Sequence, residues 1–142
     1  MSNIVELFKE KTDKLFCISK RYSARALEQI VREYIECIVV EYNLDVMLKE
    51  VVLSGSRCRG LEHDNSDLDF VLYFSGQMRE DVLFDILNDE KFEIEGIKVD
   101  FNPIMEIESG TLDEYMLQVE KYLEKKRFLI EEKRIIIDKL EE

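Results

Sequence analysis

The sequence predicts an α/β (α+β) fold, a small mixed β-sheet flanked by helices. Three observations predict it. Apolar stripes at helical spacing run through Leu27–Tyr42 and again after Thr111. Between them stand short, β-branched-rich runs, Val51-Val52-Leu53, Phe70-Val71-Leu72-Tyr73 and Ile97–Phe101. The length of 142 residues, with 46% hydrophobic side chains, suits one domain with a real core. We expect that core at about 24–104, with flanking helices at 3–19 and 111–140.

The first helix is read from Ser2 to about Ser19, with Ile4, Leu7, Phe8, Leu15 and Ile18 inward. The second carries Leu27, Ile30, Val31, Tyr34, Ile35 and Ile38, with Ser23 as N-cap and Asn43 as stop. Lys20, Arg21 and Arg25 form a small basic patch at its start, either a solvated helix end or a contact for an acceptor. Val51–Leu53 is a buried strand halted by Ser54-Gly55, and Phe70–Tyr73 is a second strand ended by Ser75-Gly76. A helix over Arg79–Asn88 follows, with Val82, Leu83, Ile86 and Leu87 inward. Phe92 and Ile94 begin a hairpin through Glu95-Gly96, and Ile97, Val99 and Phe101 return. Lys98, Asp100 and Asn102 then share the opposite face, and Pro103 ends the strand. Ile104–Gly110 reads as a loop. Thr111 caps a last helix, with Glu114 at the box position, that carries Tyr115, Met116, Val119, Tyr122, Leu123 and Ile130 and continues through Ile135–Ile137. Packing on its own sheet is the simplest use of that stripe. A self-association or partner surface is the other.

The chemistry concentrates in VVLSGSRCRGLEHDNSDLDFVLYF, residues 51–74. Gly55-Ser56 follows a buried strand and opens a short helix, and Arg57 and Arg59 make the turn electropositive. Asp67 and Asp69 stand two apart, so on a strand they share a face. Two such carboxylates repel unless a cation lies between them, and Mg²⁺ suits oxygen-only donors. Each piece alone has an ordinary reading. The aspartates serve as turn or cap residues, the arginines pair with surface acids, and His63 is a solvated loop residue rather than a nucleotide contact.

Leu53-Ser54-Gly55-Ser56-Arg57-Cys58-Arg59-Gly60 followed by Ser66-Asp67-Leu68-Asp69 resembles the signature of the DNA polymerase β-like nucleotidyltransferase superfamily. It is most similar to the small, MNT-type (minimal nucleotidyltransferase) members. Asp100, on the later apolar strand, matches the third carboxylate of that family. The resemblance covers about Val51–Asn102. It implies a Mg²⁺-dependent transfer of a nucleoside monophosphate from a triphosphate such as ATP to a hydroxyl. The acceptor would be a protein, a small molecule or an RNA. Asp67, Asp69 and Asp100 would be the catalytic, metal-holding residues for two ions. Gly55, Ser56, Arg57, Arg59 and Lys98 would bind the nucleotide. Small MNT-type members often act as antitoxins that adenylylate a partner toxin, and similar domains occur in mobile-element proteins. These 142 residues are not expected to hold the second domain and thumb of template-directed relatives, so processive polymerisation is not expected of them.

Composition narrows this further. The net charge of −12 opposes extended tracking of a nucleic-acid backbone. A single histidine leaves Ser-His-Asp hydrolysis and His-rich zinc sites without parts. Cys17, Cys37 and Cys58 lack metal-site spacing and fit reduced thiols of a cytoplasmic protein. The early acids read as no signal peptide, and no apolar run reaches membrane-spanning length. A reading from another class is an inactive relative that serves as an acidic protein-binding or inhibitor module. Convergence of Asp67, Asp69 and Asp100 on one metal-sized point would favour catalysis, and its absence would favour the binding module.

Overall fold

The computed structural model describes residues 3–18 and 21–141. Ser2, Ser19 and Lys20, included in the expected first helix and basic patch, lie outside the described residues. The elements are α1 (Ile4–Leu15), α2 (Ala24–Glu41), β1 (Val46–Ser54), a 3₁₀ turn (Ser56–Arg59), β2 (Leu68–Gly76), α3 (Glu80–Leu87), β3 (Glu93–Ile94), β4 (Ile97–Met105), the single-turn α4 (Glu106–Ser109) and α5 (Leu112–Leu140). The four strands form one mixed sheet in the order β1-β2-β4-β3. β1 runs antiparallel to β2, β2 parallel to β4, and β3 antiparallel to β4.

Period-two alternation gives the sheet two unlike faces. On one, Leu53 pairs with Phe70 and Phe70 with Phe101, and all three are fully or almost fully buried. Helices α2 and α3 cover this face. Tyr34 of α2 stacks at 4.4 Å on Phe92 and at 5.8 Å on Phe101. Each such large side chain contributes about 1.5–3 kcal/mol by leaving water. On the other face Ser54, Asp69 and Asp100 lie side by side across the strands. Helices α1 and α5 pack there against each other.

Local chemistry sets the element ends. Asn3, Ser23 and Thr111 each accept the backbone N–H of the third residue of their helices. Glu95 and Gly96 both have positive φ, as a two-residue hairpin requires. The open edge of β1 is covered by α2: Glu28 accepts the Leu53 N–H at 2.8 Å and Arg32 donates to the Lys49 carbonyl at 3.2 Å. Glu28 is itself buried, and Arg25 (2.9 Å) and Lys9 (3.4 Å) offset its charge. That web fixes the end of β1, where the turn begins.

Several expectations are corrected. Pro103 does not end β4, which runs on to Met105; residues 104–105 are strand and 106–109 a helical turn rather than loop. β3 pairs only with Ile97 and Lys98, so the outer edge of β4 is open at Pro103 and its missing N–H breaks no ladder. Along that edge the Phe101 and Met105 N–H groups bond instead to the Asn88 and Glu80 side chains. In α1 the buried residues are Val5, Phe8 and Thr12, while Leu7 and Leu15 face solvent. Val82 of α3 is also exposed, because Leu83 and Leu87 alone meet the core squarely. α5 packs on the body only in its first half; every residue from 127 to 140 is exposed. No helix among the described residues is long and apolar enough to cross a membrane.

Candidate nucleotide-transfer site

β1 ends at Ser54, and the chain must turn sharply to avoid β2. Gly55 makes the turn with φ 74° and ψ −173°, a conformation closed to residues with a Cβ. A Cβ at Gly55 would stand 2.1 Å from the Asp69 Oδ2, so the absence of a side chain is also what admits the carboxylate. Residues 56–59 then wind into the 3₁₀ turn. Buried Cys58 donates its thiol proton to the Gly55 carbonyl at 3.1 Å, and burial pushes its pKa up to about 12. This cysteine is a packing residue.

The two arginines of the turn part company. Arg57 stays on the site side and donates through Nε to the Ser66 carbonyl at 2.8 Å. It thereby holds the loop ahead of Asp67, a loop already closed by the His63 N–H on the Ser66 hydroxyl (2.9 Å) and the Asn65 N–H on His63 Nδ1 (3.1 Å). Arg59, expected beside the nucleotide, turns the opposite way. It is buried, donates to the Thr12 hydroxyl (2.6 Å) and the Phe8 carbonyl (3.1 Å), pairs with Glu120 of α5 (2.9 Å), and lies 4.1 Å over the Phe8 ring. Its donors are spent on joining α1, the turn and α5. Burial alone would raise the Glu120 pKa, but the Lys11 hydrogen bond and Arg59 hold it below the usual range. Arg25, from the expected basic patch, is likewise engaged by Asp13 at 3.1 Å and by Glu28.

The three aspartates share the α5-side face. Asp69 and Asp100 are register partners on parallel strands, and Asp67 stands one step before β2. All three are half-buried. The hydrogen bond that protonated Asp67 donates to the Asp100 carboxylate, followed by burial and the Asp100 charge, raises the Asp67 pKa. Asp69 is pushed up to about 6, first by burial and then by the charges of Asp100 and Asp67. Lys98 lies 3.4 Å from Asp100 Oδ1 and 4.0 Å from Asp67 Oδ2. The structure thus brings together Gly55, Ser56, Arg57, Asp67, Asp69, Lys98 and Asp100, and leaves Arg59 out.

Two neighbours escaped the sequence reading. Lys126 of α5 donates to the Ser56 hydroxyl, and its charge acts on Asp69. Tyr115 of α5 lies 2.6 Å from the Asn102 amide on the face that carries Asp100. Ser56 and Lys126 are 70 residues apart, and only the docking of α5 on the sheet joins them. Their one sequence signal is periodicity. Met116, Val119 and Leu123 set an inward stripe whose next member is Lys126.

As placed, no three acidic, cysteine or histidine side chains among the described residues close on one point as a ready-made metal site. That placement counts toward the binding module, while the chemistry of the donor set still fits a hard divalent cation. It is carboxylate only, it bears mutual repulsion, and Lys98 is the cation now between two of its members. A cavity of about 750 Å³ is lined instead by Asn3, Lys9, Glu50, Tyr73 and Asp113 among others, and by none of the three aspartates.

The Gly-Ser turn laid against paired strand carboxylates assembles the pieces by which the sequence resembles the polymerase β-like nucleotidyltransferases. The match to known families agrees: the model for the nucleotidyltransferase domain covers residues 31–137. The chain belongs to that family, within the polymerase β-like nucleotidyltransferases. No curated protein and no solved structure matches it.

Proposed function

We propose that this nucleotidyltransferase domain transfers a nucleoside monophosphate from ATP to a hydroxyl of a protein acceptor, in the manner of the MNT-type members. The observation that carries the proposal is the pairing of Asp69 with Asp100 in register, with Asp67 on the same face and Gly55 open beside them. In the reaction the acceptor oxygen bonds to the α-phosphorus, the bond to the β-phosphate oxygen breaks, and pyrophosphate leaves. Divalent ions such as Mg²⁺, held by Asp67, Asp69 and Asp100, would supply charge neutralisation for the attacking and leaving oxygens. The remaining work falls to the chain. Gly55 lets the phosphates approach the backbone, Ser56 donates to the terminal phosphates, and Arg57 offsets charge on the leaving group. Asp100, open to solvent on one side, accepts the acceptor proton. Lys98 exchanges its carboxylate partners for a phosphate oxygen when the nucleotide enters. The net charge of −12 favours a protein acceptor over a long polyanion.

Titration of ATP into the protein, with Mg²⁺ and with chelator, tests this. Mg²⁺-dependent binding is expected, and Asp67→Asn with Asp69→Asn should abolish it while preserving the circular-dichroism spectrum. Undiminished binding in that double variant would remove the metal assignment. Incubation with α-labelled ATP and candidate acceptors, with pyrophosphate release as the second readout, tests the transfer itself.

A further inference from the structure

The turn that cradles the phosphates carries two arginines but keeps only one of them. Arg59 is consumed by Glu120, Thr12 and the Phe8 carbonyl. A nucleoside triphosphate brings three to four negative charges; divalent ions would be offset largely by the three carboxylates that hold them, which leaves one arginine and Lys98 as the chain's own cations for the phosphates. We propose that Lys126 of α5 is the missing phosphate-binding group, which takes the terminal phosphates of the donor together with Ser56. This deepens the nucleotidyl-transfer reading and rests on it.

Three observations carry the assignment. Lys126 Nζ contacts the Ser56 hydroxyl, so the ammonium sits over the Gly55-Ser56 turn. The side chain is half-buried, where most neighbouring charges of α5 are exposed. Lys126 also continues the inward stripe of Met116 and Leu123, a position where an apolar residue would pack without desolvating a charge. A lysine kept there forgoes that packing. In the structure it has a hydroxyl for a partner and the charge of Asp69 nearby, but no carboxylate of its own within ion-pair distance among the described residues. Its remaining N–H donors are free for phosphate oxygens. Because α5 also holds Glu120 against Arg59, the helix that supplies the substitute cation is the one that takes the arginine away.

The experiment compares wild type, Lys126→Met and Lys126→Arg for Mg²⁺-dependent binding of AMP, ADP and ATP, with thermal unfolding as the check on folding. Lys126→Met should weaken ATP about tenfold to a hundredfold, the worth of one or two charge-assisted hydrogen bonds. It should weaken AMP little and ADP in between, and Lys126→Arg should recover most of the loss. Equal binding of ATP by wild type and Lys126→Met would overturn the assignment and leave the transfer reading standing. An equal loss for AMP and ATP would also overturn it, since that is the mark of a purely structural tie to Ser56. Absence of any nucleotide binding by the wild type would overturn the transfer reading and this assignment with it.

Discussion

The two halves of α5 are one continuous helix with opposite surroundings. In the first half Leu112, Met116 and Leu123 are buried, Glu120 holds Arg59, Tyr115 meets Asn102 and Lys126 reaches Ser56. In the second half Phe128, Leu129, Ile130 and Ile135–Ile137 are all exposed, although this stretch is the more apolar of the two. Apolar content therefore does not decide burial along this helix. The sheet and α1 are short, and beyond Lys126 they offer nothing to pack on. The second half stays helical by propagating a nucleus that the first half has already stabilised. The fold and the proposed site depend on the first half, and the second is an exposed surface.

Substitutions in the two halves test that division. The largest effect should come from Arg59→Ala, which leaves Glu120 to Lys11 alone, removes the donors to Thr12 and Phe8, and cuts the tie between α1 and α5. A loss of about 3–5 kcal/mol is expected from urea unfolding, as for other broken buried pairs. Next, Met116→Ala should cost about 2–4 kcal/mol through its cavity.

A smaller, pH-dependent effect belongs to the charges beneath the first half. The Asp69 pKa of about 6 exceeds the ordinary value of about 3.9, so the folded form binds this proton more tightly than the unfolded chain. The stability from this group is complete below about pH 4 and is lost as pH rises through 6. In chelator, Asp69→Asn should therefore raise Tm relative to wild type at pH 7.5 and show no such gain at pH 4. A gain of equal size at both pH values would rule out the carboxylate cluster as its source.

The smallest effect should come from the second half. Leu129→Ser and Ile136→Ser should each change stability by within about 0.5 kcal/mol, since neither side chain is packed. A loss approaching that of Met116→Ala, dependent on protein concentration in sedimentation, would show instead that these residues meet a second copy.

Much of the fold was legible because its signals are local. Ser23 and Thr111 announce helix starts through a side-chain oxygen, and Glu95-Gly96 announces a hairpin through positive φ. Pro103 misled because its rule concerns ladder hydrogen bonds, and whether an edge is paired is not written near the proline. Leu7, Leu15 and Val82 misled for a similar reason: periodicity marks an apolar stripe, but the neighbours decide how wide a stripe is covered.

For the candidate site the division is the same. The residues themselves determine that Gly55 can make the turn and that Asp67 and Asp69 share a face, since a missing Cβ and a two-residue period act within a few ångströms along the chain. Only the tertiary structure decided that Asp100 lies beside Asp69, that Arg57 faces the site while Arg59 leaves it, and that Lys126 arrives from 70 residues away. Those outcomes depend on strand pairing and helix docking, which set the electrostatic surroundings of a side chain after its own sequence neighbourhood has said all it can.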